Sequence, residues 1–181
     1  MMIDHLLTYT VPAAYVLLPE AMRAEKATAL IIAIGAHESG FTARRQLRGP
    51  AHGFFMFERG GGVKGVLTHA RTAHHALSVL DALQYPRRQT DTIARVGSDA
   101  FEALTHNDTL ACAFARLLLW TLPSALPGPD AGDGAFAQYV EAWRPGAYMR
   151  GTEAQRVAIR ARFAQYYADA WARVTAVGPT T

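Results

Sequence analysis

The sequence predicts a mainly α-helical protein that folds as a single domain. Its 181 residues, half of them hydrophobic, are enough to bury one substantial core. Apolar residues recur every three or four positions along most of the chain, the spacing that places them on one face of a helix. Prolines and glycines are concentrated in a few short segments, which separate the apolar stretches into individual helices.

The first two predicted helices are separated by Pro19. Residues 6–18 show a short amphipathic pattern, which predicts an N-terminal helix within 1–18. Pro19 then begins a long helix, since proline is tolerated at the first helical position. Gly40 can end this helix, so the second helix is predicted to span 19–40.

The rest of the chain is predicted to form a loop followed by a bundle of helices. Residues 42–63 are irregular or form a small β-hairpin, and residues 64–174 form the bundle. Within the bundle, residues 109–120 are nearly all apolar, which favours a central buried helix. Thr152 opens a Thr-Glu-Ala-Gln sequence, typical of a capping box before a last long helix. The tail 175–181 is expected to be mobile.

The charge balance limits the kinds of partner that this chain can bind. The formal net charge is +3 and the pI is about 9.2, so the surface suits an anionic polymer. Arginines are scattered rather than clustered and no nucleic-acid-binding motif is present, so nucleic acid is not favoured. No apolar stretch is long enough for a membrane span.

Residue types that often bind metals or act as nucleophiles form no convincing pattern here. Cys112 lies in an apolar run and is interpreted as a buried structural thiol. His69, His74 and His75 do not share one helical face and have no carboxylate beside them, so no metal site is predicted. We therefore expect no cofactor.

Glu38 is the first candidate for a catalytic residue. Ala27, Ile31, Ile34 and Glu38 are spaced to share one helical face, so the apolar residues should carry Glu38 to the edge of the core. Burial and the negative end of the helix dipole should both raise its pKa. A carboxyl that stays protonated near neutral pH can act as a general acid. The alternative is an ordinary surface Glu that pairs with one of two nearby arginines, at positions 44 and 45.

A second candidate segment follows the long helix. Residues 54–57 read Phe-Phe-Met-Phe and are followed by Gly60, Gly61 and Gly62. Three glycines in a row are expected to break any helix and to let the backbone approach a ligand. Aromatic side chains in a cleft can hold sugar rings, which predicts a glycan-binding segment. The alternative is that these large apolar side chains simply fill the core.

Four segments, taken in order, carry a resemblance to a known family. They are residues 37–41 (His-Glu-Ser-Gly-Phe), 49–58 (Gly-Pro-Ala-His-Gly-Phe-Phe-Met-Phe-Glu), 114–120 (Phe-Ala-Arg-Leu-Leu-Leu-Trp) and 143–146 (Trp-Arg-Pro-Gly). This set resembles the lytic transglycosylase and goose-type lysozyme superfamily, and most closely its phage-encoded members. The resemblance implies a lysozyme-like fold and cleavage of bacterial peptidoglycan.

The resemblance also implies roles for individual residues. Glu38 matches the catalytic acid/base of the family and Ser39 matches the serine that supports it. The expected substrate-binding residues are Gly53, Phe55, Met56, Phe57 and Tyr139. Three positions differ from the family pattern: Met56 replaces a Gln, Phe55 replaces a Trp, and Val140 replaces an Asn.

The family's chemistry leaves two reaction products open. In relatives of the transglycosylase type, one Glu protonates the oxygen between MurNAc and GlcNAc and then deprotonates the sugar's own hydroxymethyl group. Goose-type lysozymes recruit water instead, with help from a second acid. Glu58 is the candidate for that second carboxylate, but we expect it to pair with Arg59 or another arginine and to point away from Glu38.

The resemblance implies peptidoglycan, and possible association with other virion proteins, as partners. The first five residues lack the basic start of a signal peptide, so we expect synthesis in the cytoplasm and delivery by a phage particle, a holin or a secretion machine. The alternative function is a non-catalytic wall-binding or virion structural module on the same scaffold. The missing amide groups at positions 56 and 140 are what favour that alternative.

Overall fold

The protein is described by a computed structural model that covers residues 2–85, 88 and 90–178. It is mainly helical, as the sequence predicts, and its described part contains no β-strand. The α-helices, in chain order, are α1 (Met2–His5), α2 (Val11–Val16), α3 (Glu25–Ser39), α4 (Lys64–Thr68), α5 (Ala73–Ala82), α6 (Ile93–Ala103), α7 (Asp108–Trp120), α8 (Gly132–Trp143), α9 (Gly146–Met149) and α10 (Glu153–Val177).

The N-terminal region is helical but its bounds differ from the prediction. A π-helical turn, Leu6–Thr10, joins α1 to α2, so the helix ends at Val16 rather than at residue 18. The prediction that Pro19 begins the long helix is wrong. Pro19 precedes a single 3-10 turn, and α3 begins only at Glu25, because the backbone is extended at residues 23 and 24.

Two buried helices form the centre of the core. Residues 27–36 of α3 are all buried, and α3 packs most extensively against the C-terminal helix α10. Residues 110–119 of α7 are also all buried, which confirms the central helix predicted for 109–120. Among them Arg116 is buried, and its Nε donates a hydrogen bond of 2.7 Å to the carbonyl of Met22.

The segment between α3 and α4 has little regular structure and no hairpin. Its backbone pairing is limited to two antiparallel bridges, Arg45 with His52 and His52 with Phe57. The expectation that the three glycines break any helix is wrong. They lie in a π-helical turn, Arg59–Val63, that runs directly into α4.

The last helix has the predicted cap but ends later than predicted. The Thr152 hydroxyl accepts a hydrogen bond from the backbone N–H of Gln155, and the Gln155 side-chain oxygen accepts one from the backbone N–H of Thr152, which confirms the capping box. Residues 175–177 belong to α10 rather than to a mobile tail, and residues 179–181 lie outside the described part of the chain. None of the described helices is both long enough and apolar enough to cross a membrane.

Candidate active site

Glu38 lies in the last turn of α3, where the helix leaves the core. Gly40 ends the helix with a left-handed backbone (φ 60°), which glycine adopts at little cost. The alternative that Glu38 pairs with a nearby arginine is wrong. Arg44 binds Asp108 through both terminal nitrogens, at 2.5 and 2.9 Å, and Arg45 binds Glu102 at 3.2 Å.

Tyr139 of α8 holds the Glu38 carboxylate. Its hydroxyl donates a hydrogen bond of 2.5 Å to Oε1 of Glu38. The tyrosine ring is stacked on Phe163 of α10, with 4.9 Å between ring centroids, and lies 6.3 Å from the ring of Trp143. Because the ring is buried and packed on several sides, the hydroxyl has a fixed direction toward Glu38.

The pKa of Glu38 is raised to about 7. Burial is the largest cause, because it disfavours the charged carboxylate, and the negative charge of Glu58 acts in the same direction. The hydrogen bond from Tyr139 opposes both by stabilising the charged form. Glu38 can therefore release and accept a proton near neutral pH, as a general acid/base requires.

Ser39 holds the cleft segment against the end of α3, and Gly53 lets the segment pass close to the end of α6. Ser39 Oγ donates a hydrogen bond of 2.7 Å to the carbonyl of Phe54 and accepts one of 3.1 Å from the backbone of Phe41. Gly53 has a positive φ of 73°, and a Cβ there would lie 2.6 Å from the carbonyl oxygen of Leu104. A side chain at position 53 would therefore strain the backbone and clash with it.

The Glu38 side chain lines a cleft with a volume of about 300 Å³. Met56, Phe57, Glu58 and Tyr139 line the same cleft, which places four of the predicted site residues beside Glu38. Of these, Met56 is half-buried, and Phe57 is only 1 % exposed, so its ring offers almost no surface to a ligand. Position 56, where the resemblance implies an amide, therefore lies within the cleft itself.

Phe55 does not have the position that the sequence predicts. Its ring is fully buried in the core and does not line the cleft, so its assignment to substrate binding is not supported. Its backbone contributes instead, because its carbonyl accepts a hydrogen bond of 2.8 Å from Nε1 of Trp143. The aromatic segment thus serves mainly as core, which was the alternative interpretation.

Glu58 lies on the cleft, contrary to expectation. Its side chain is exposed, lines the same cleft as Glu38, and raises the pKa of Glu38 through its charge. Within the part of the chain that the structure describes, no hydrogen bond or ion pair holds it. The predicted pairing with Arg59 is therefore wrong, and so is the prediction that Glu58 faces away from the catalytic candidate.

Sequence reasoning missed several cleft residues, among them His37 and Arg162. The His37 ring contacts Tyr139 edge-on, at 5.3 Å between centroids, and its buried Nδ1 has no hydrogen-bond partner among the described residues. Burial, and secondarily the charge of Arg162, lowers the pKa of His37 to about 4, so the ring is neutral at pH 7. Both residues reach the cleft through the packing of α10 on α3, for which the sequence contains no local signal.

The described residues contain no cluster of three or more potential metal ligands. The rings of His74 and His75 lie 3.6 Å apart on α5, without a carboxylate partner. Cys112 is buried, and burial raises the pKa of its thiol, so it is not an activated nucleophile.

Comparison with known proteins adds no identification. No protein-family model, no curated protein and no solved structure matches this chain.

Proposed function

We propose that this protein cleaves the glycan strand of bacterial peptidoglycan between MurNAc and GlcNAc, with Glu38 as the single general acid/base. The observation that carries the proposal is the Glu38 carboxyl, which lines a cleft and is held by the Tyr139 hydroxyl. The ordered Glu-Ser and cleft segments in the sequence supply the substrate class. The same segments resemble those of the lysozyme-like superfamily, and this resemblance favours a phage origin and phage-dependent delivery.

In the first step of the proposed reaction, the protonated Glu38 gives its proton to the glycosidic oxygen. The C–O bond to the leaving sugar then breaks, and an oxocarbenium-like centre develops on the MurNAc ring. Glu38 becomes a carboxylate in a largely buried position, where an uncompensated charge is costly. The hydrogen bond from Tyr139 stabilises this carboxylate, because hydrogen bonds to charged acceptors are stronger than those to neutral ones.

In the second step the Glu38 carboxylate takes a proton back. If the proton comes from the hydroxymethyl group of the MurNAc residue, its oxygen closes an anhydro ring and no water is consumed. If it comes from water, the product is an ordinary reducing end. Burial of Tyr139 raises the pKa of its hydroxyl, so the tyrosine keeps its own proton and acts only as a hydrogen-bond donor.

The substitution Met56→Gln is expected to increase cleavage modestly. A Gln amide in the cleft can hydrogen-bond a sugar hydroxyl, whereas Met offers apolar surface and a weak acceptor. One hydrogen bond contributes about 0.5–1.5 kcal/mol net, or roughly a two- to tenfold gain in kcat/KM. Zymography on a peptidoglycan gel measures both proteins side by side and tests the proposed function at the same time, because the wild type should clear the gel slowly.

The alternative is a non-catalytic wall-binding module, which the resemblance favours because positions 56 and 140 lack the amide side chains of the family. Val140 does not line the cleft at all, so only Met56 affects the site directly. The two functions predict different zymograms. If the wild type and Met56→Gln both leave the gel intact while the wild type still binds peptidoglycan, the chain is a binding module and the proposed enzyme is wrong.

Replacing Glu58 is expected to shift the pH dependence of cleavage rather than abolish it. Glu38 must be protonated to act as an acid, so wild-type activity should fall as the pH rises through about 7. The negative charge of Glu58 is one cause that raises the pKa of Glu38. Glu58→Gln removes that charge, so the fall in activity should move to lower pH.

The measurement for Glu58→Gln is kcat/KM from pH 4 to pH 9 on soluble glycan strands. A shift of the basic limb to lower pH, with activity retained at acidic pH, supports a single-acid mechanism. Loss of activity at every pH would instead make Glu58 a catalytic partner, the second carboxylate of a hydrolase.

A further inference from the structure

A second groove borders the Arg59–Val63 turn, which also borders the catalytic cleft. Its volume is about 550 Å³, and α4 and α6 form its walls. Gly60 lines this groove, whereas Gly61 and Gly62 line the cleft. A single helical turn therefore separates the two depressions, and one branched ligand could occupy both.

The rim of the groove is basic. Arg59 and Lys64 line it, both side chains are exposed, and no hydrogen bond or ion pair involving either side chain is found in the described part of the chain. No acidic residue lines the groove. On the facing helix α6, Asp99 lies within 3.9 Å of Arg95, which offsets its charge. The two cations are therefore available to carboxylates of a ligand.

The floor of the groove is apolar and open. Leu67 is buried at the base of the groove, and Ile93, which is 42 % exposed, contributes aliphatic surface. A Cβ at Gly60 would meet nothing within 4 Å, and a Cβ at Gly97 would meet Leu67 only at ordinary contact distance, 3.4 Å. Packing within the protein therefore does not require glycine at either position. Because neither glycine has a side chain, the backbone of a ligand can approach the groove closely at both positions.

We propose that this groove binds an acidic peptide, the stem peptide attached to the MurNAc residue whose glycosidic bond lies in the cleft. The inference rests on the proposed function for its choice of peptide. A stem peptide branches from the glycan and carries both carboxylates and alanine methyl groups. The carboxylates match Arg59 and Lys64, and the methyl groups match the exposed Ile93. The groove thereby makes the protein selective for glycan strands that still carry peptides.

Direct binding is measured by NMR on a ¹⁵N-labelled Glu38→Gln variant, which does not consume the ligand. The probe is the peptide mixture released from purified peptidoglycan by an amidase. We expect concentration-dependent shifts of the backbone amides of Gly60, Lys64 and Gly97. Adding Arg59→Ala and Lys64→Ala together should weaken binding by about three- to tenfold, since exposed ion pairs contribute only modestly.

The matched control removes two cations elsewhere, in the pair Lys26→Ala and Arg160→Ala. Both residues are exposed and neither lines the groove or the cleft. The control should bind the peptides as tightly as the parent. Peptide-induced shifts that are absent, that map to another surface, or that weaken equally in the control overturn the proposal.

Cleavage supplies a second test with an otherwise wild-type enzyme. The wild type should cleave intact peptidoglycan faster than strands stripped of peptides by the amidase. Gly60→Leu places a side chain in the groove at a position where φ is not left-handed. This variant and the double alanine variant should cut intact strands only as fast as stripped strands, with unchanged rates on the stripped strands.

These outcomes distinguish a failure of the groove proposal from a failure of the proposed enzymatic function. If the wild type cuts intact and stripped strands equally fast, the groove proposal fails and the enzyme proposal stands. If the wild type cuts neither substrate, the enzyme proposal fails, and the NMR titration alone decides whether the groove binds acidic peptides.

Discussion

Glu38→Gln is expected to lower the rate of peptidoglycan cleavage by about 10²- to 10⁴-fold, the usual contribution of a general acid/base. Gln has nearly the same shape as the protonated Glu and can still accept the hydrogen bond from Tyr139, but it has no proton to give to the glycosidic oxygen. The measurement is the rate of release of soluble fragments from purified peptidoglycan at pH 6.

The control for this variant is Glu25→Gln, the same chemical change in the first turn of the same helix. Glu25 is exposed and does not line the cleft, so this variant should cleave at the wild-type rate. Circular dichroism and urea unfolding confirm that both variants are folded. Equal rates for the wild type and a folded Glu38→Gln variant would remove Glu38 from the mechanism.

The same substitution is expected to stabilise the protein at high pH. The pKa of Glu38 is about 7 in the folded state, against an ordinary value of 4.5, so the folded protein holds this proton more tightly than the unfolded chain does. The stabilisation from that proton is complete below pH 4.5 and is lost as the pH rises to about 7. Glu38→Gln should escape this loss and exceed the wild type by about 3 kcal/mol at pH 8.

The measurement is the free energy of unfolding in urea for both proteins at pH 4 and pH 8. The other titratable groups are common to both proteins, so they cancel in the difference between them. A difference that grows with pH supports a buried, protonated carboxyl. A difference that is the same at both pH values would mean that Glu38 is as well solvated in the folded protein as in the unfolded chain, and the acid/base assignment would lose its physical basis.

Local sequence patterns were sufficient for the helices that surround the site. The spacing of Ala27, Ile31, Ile34 and Glu38 predicts a carboxyl at the edge of the core, and α3 places it there. Side-chain caps such as the one at Thr152 were also readable, because a capping box needs only residues three positions apart. These features depend on contacts between near neighbours in the chain.

The errors fall where tertiary packing overrides local preference. The glycines at 60–62 remain helical because the turn is continuous with α4 and because Gly62 is pressed against Phe57, where a Cβ would lie only 2.6 Å from the ring. Phe55 is buried in the core because the segment folds back under the end of α3. Neither contact leaves a periodic signal in the sequence.

The site itself depends on contacts between distant parts of the chain. Tyr139 reaches Glu38 across 101 positions, and only the resemblance to a known family singled it out. Arg162 lines the cleft with His37 because α10 packs on α3, and no motif marks Arg162. The prediction that Glu58 pairs with Arg59 was also wrong. Two residues that are adjacent in the sequence need not direct their side chains toward each other, and Glu58 lines the cleft instead.

The most direct test of the central claim is mass spectrometry of the fragments released from purified peptidoglycan. The wild type is expected to release disaccharide–peptide units that end in MurNAc, as anhydro or as reducing forms, and folded Glu38→Gln is expected to release none. Intact peptidoglycan after incubation with folded wild-type protein, or identical fragments from both proteins, would contradict the assignment of Glu38 as the acid/base of a glycan-cleaving enzyme.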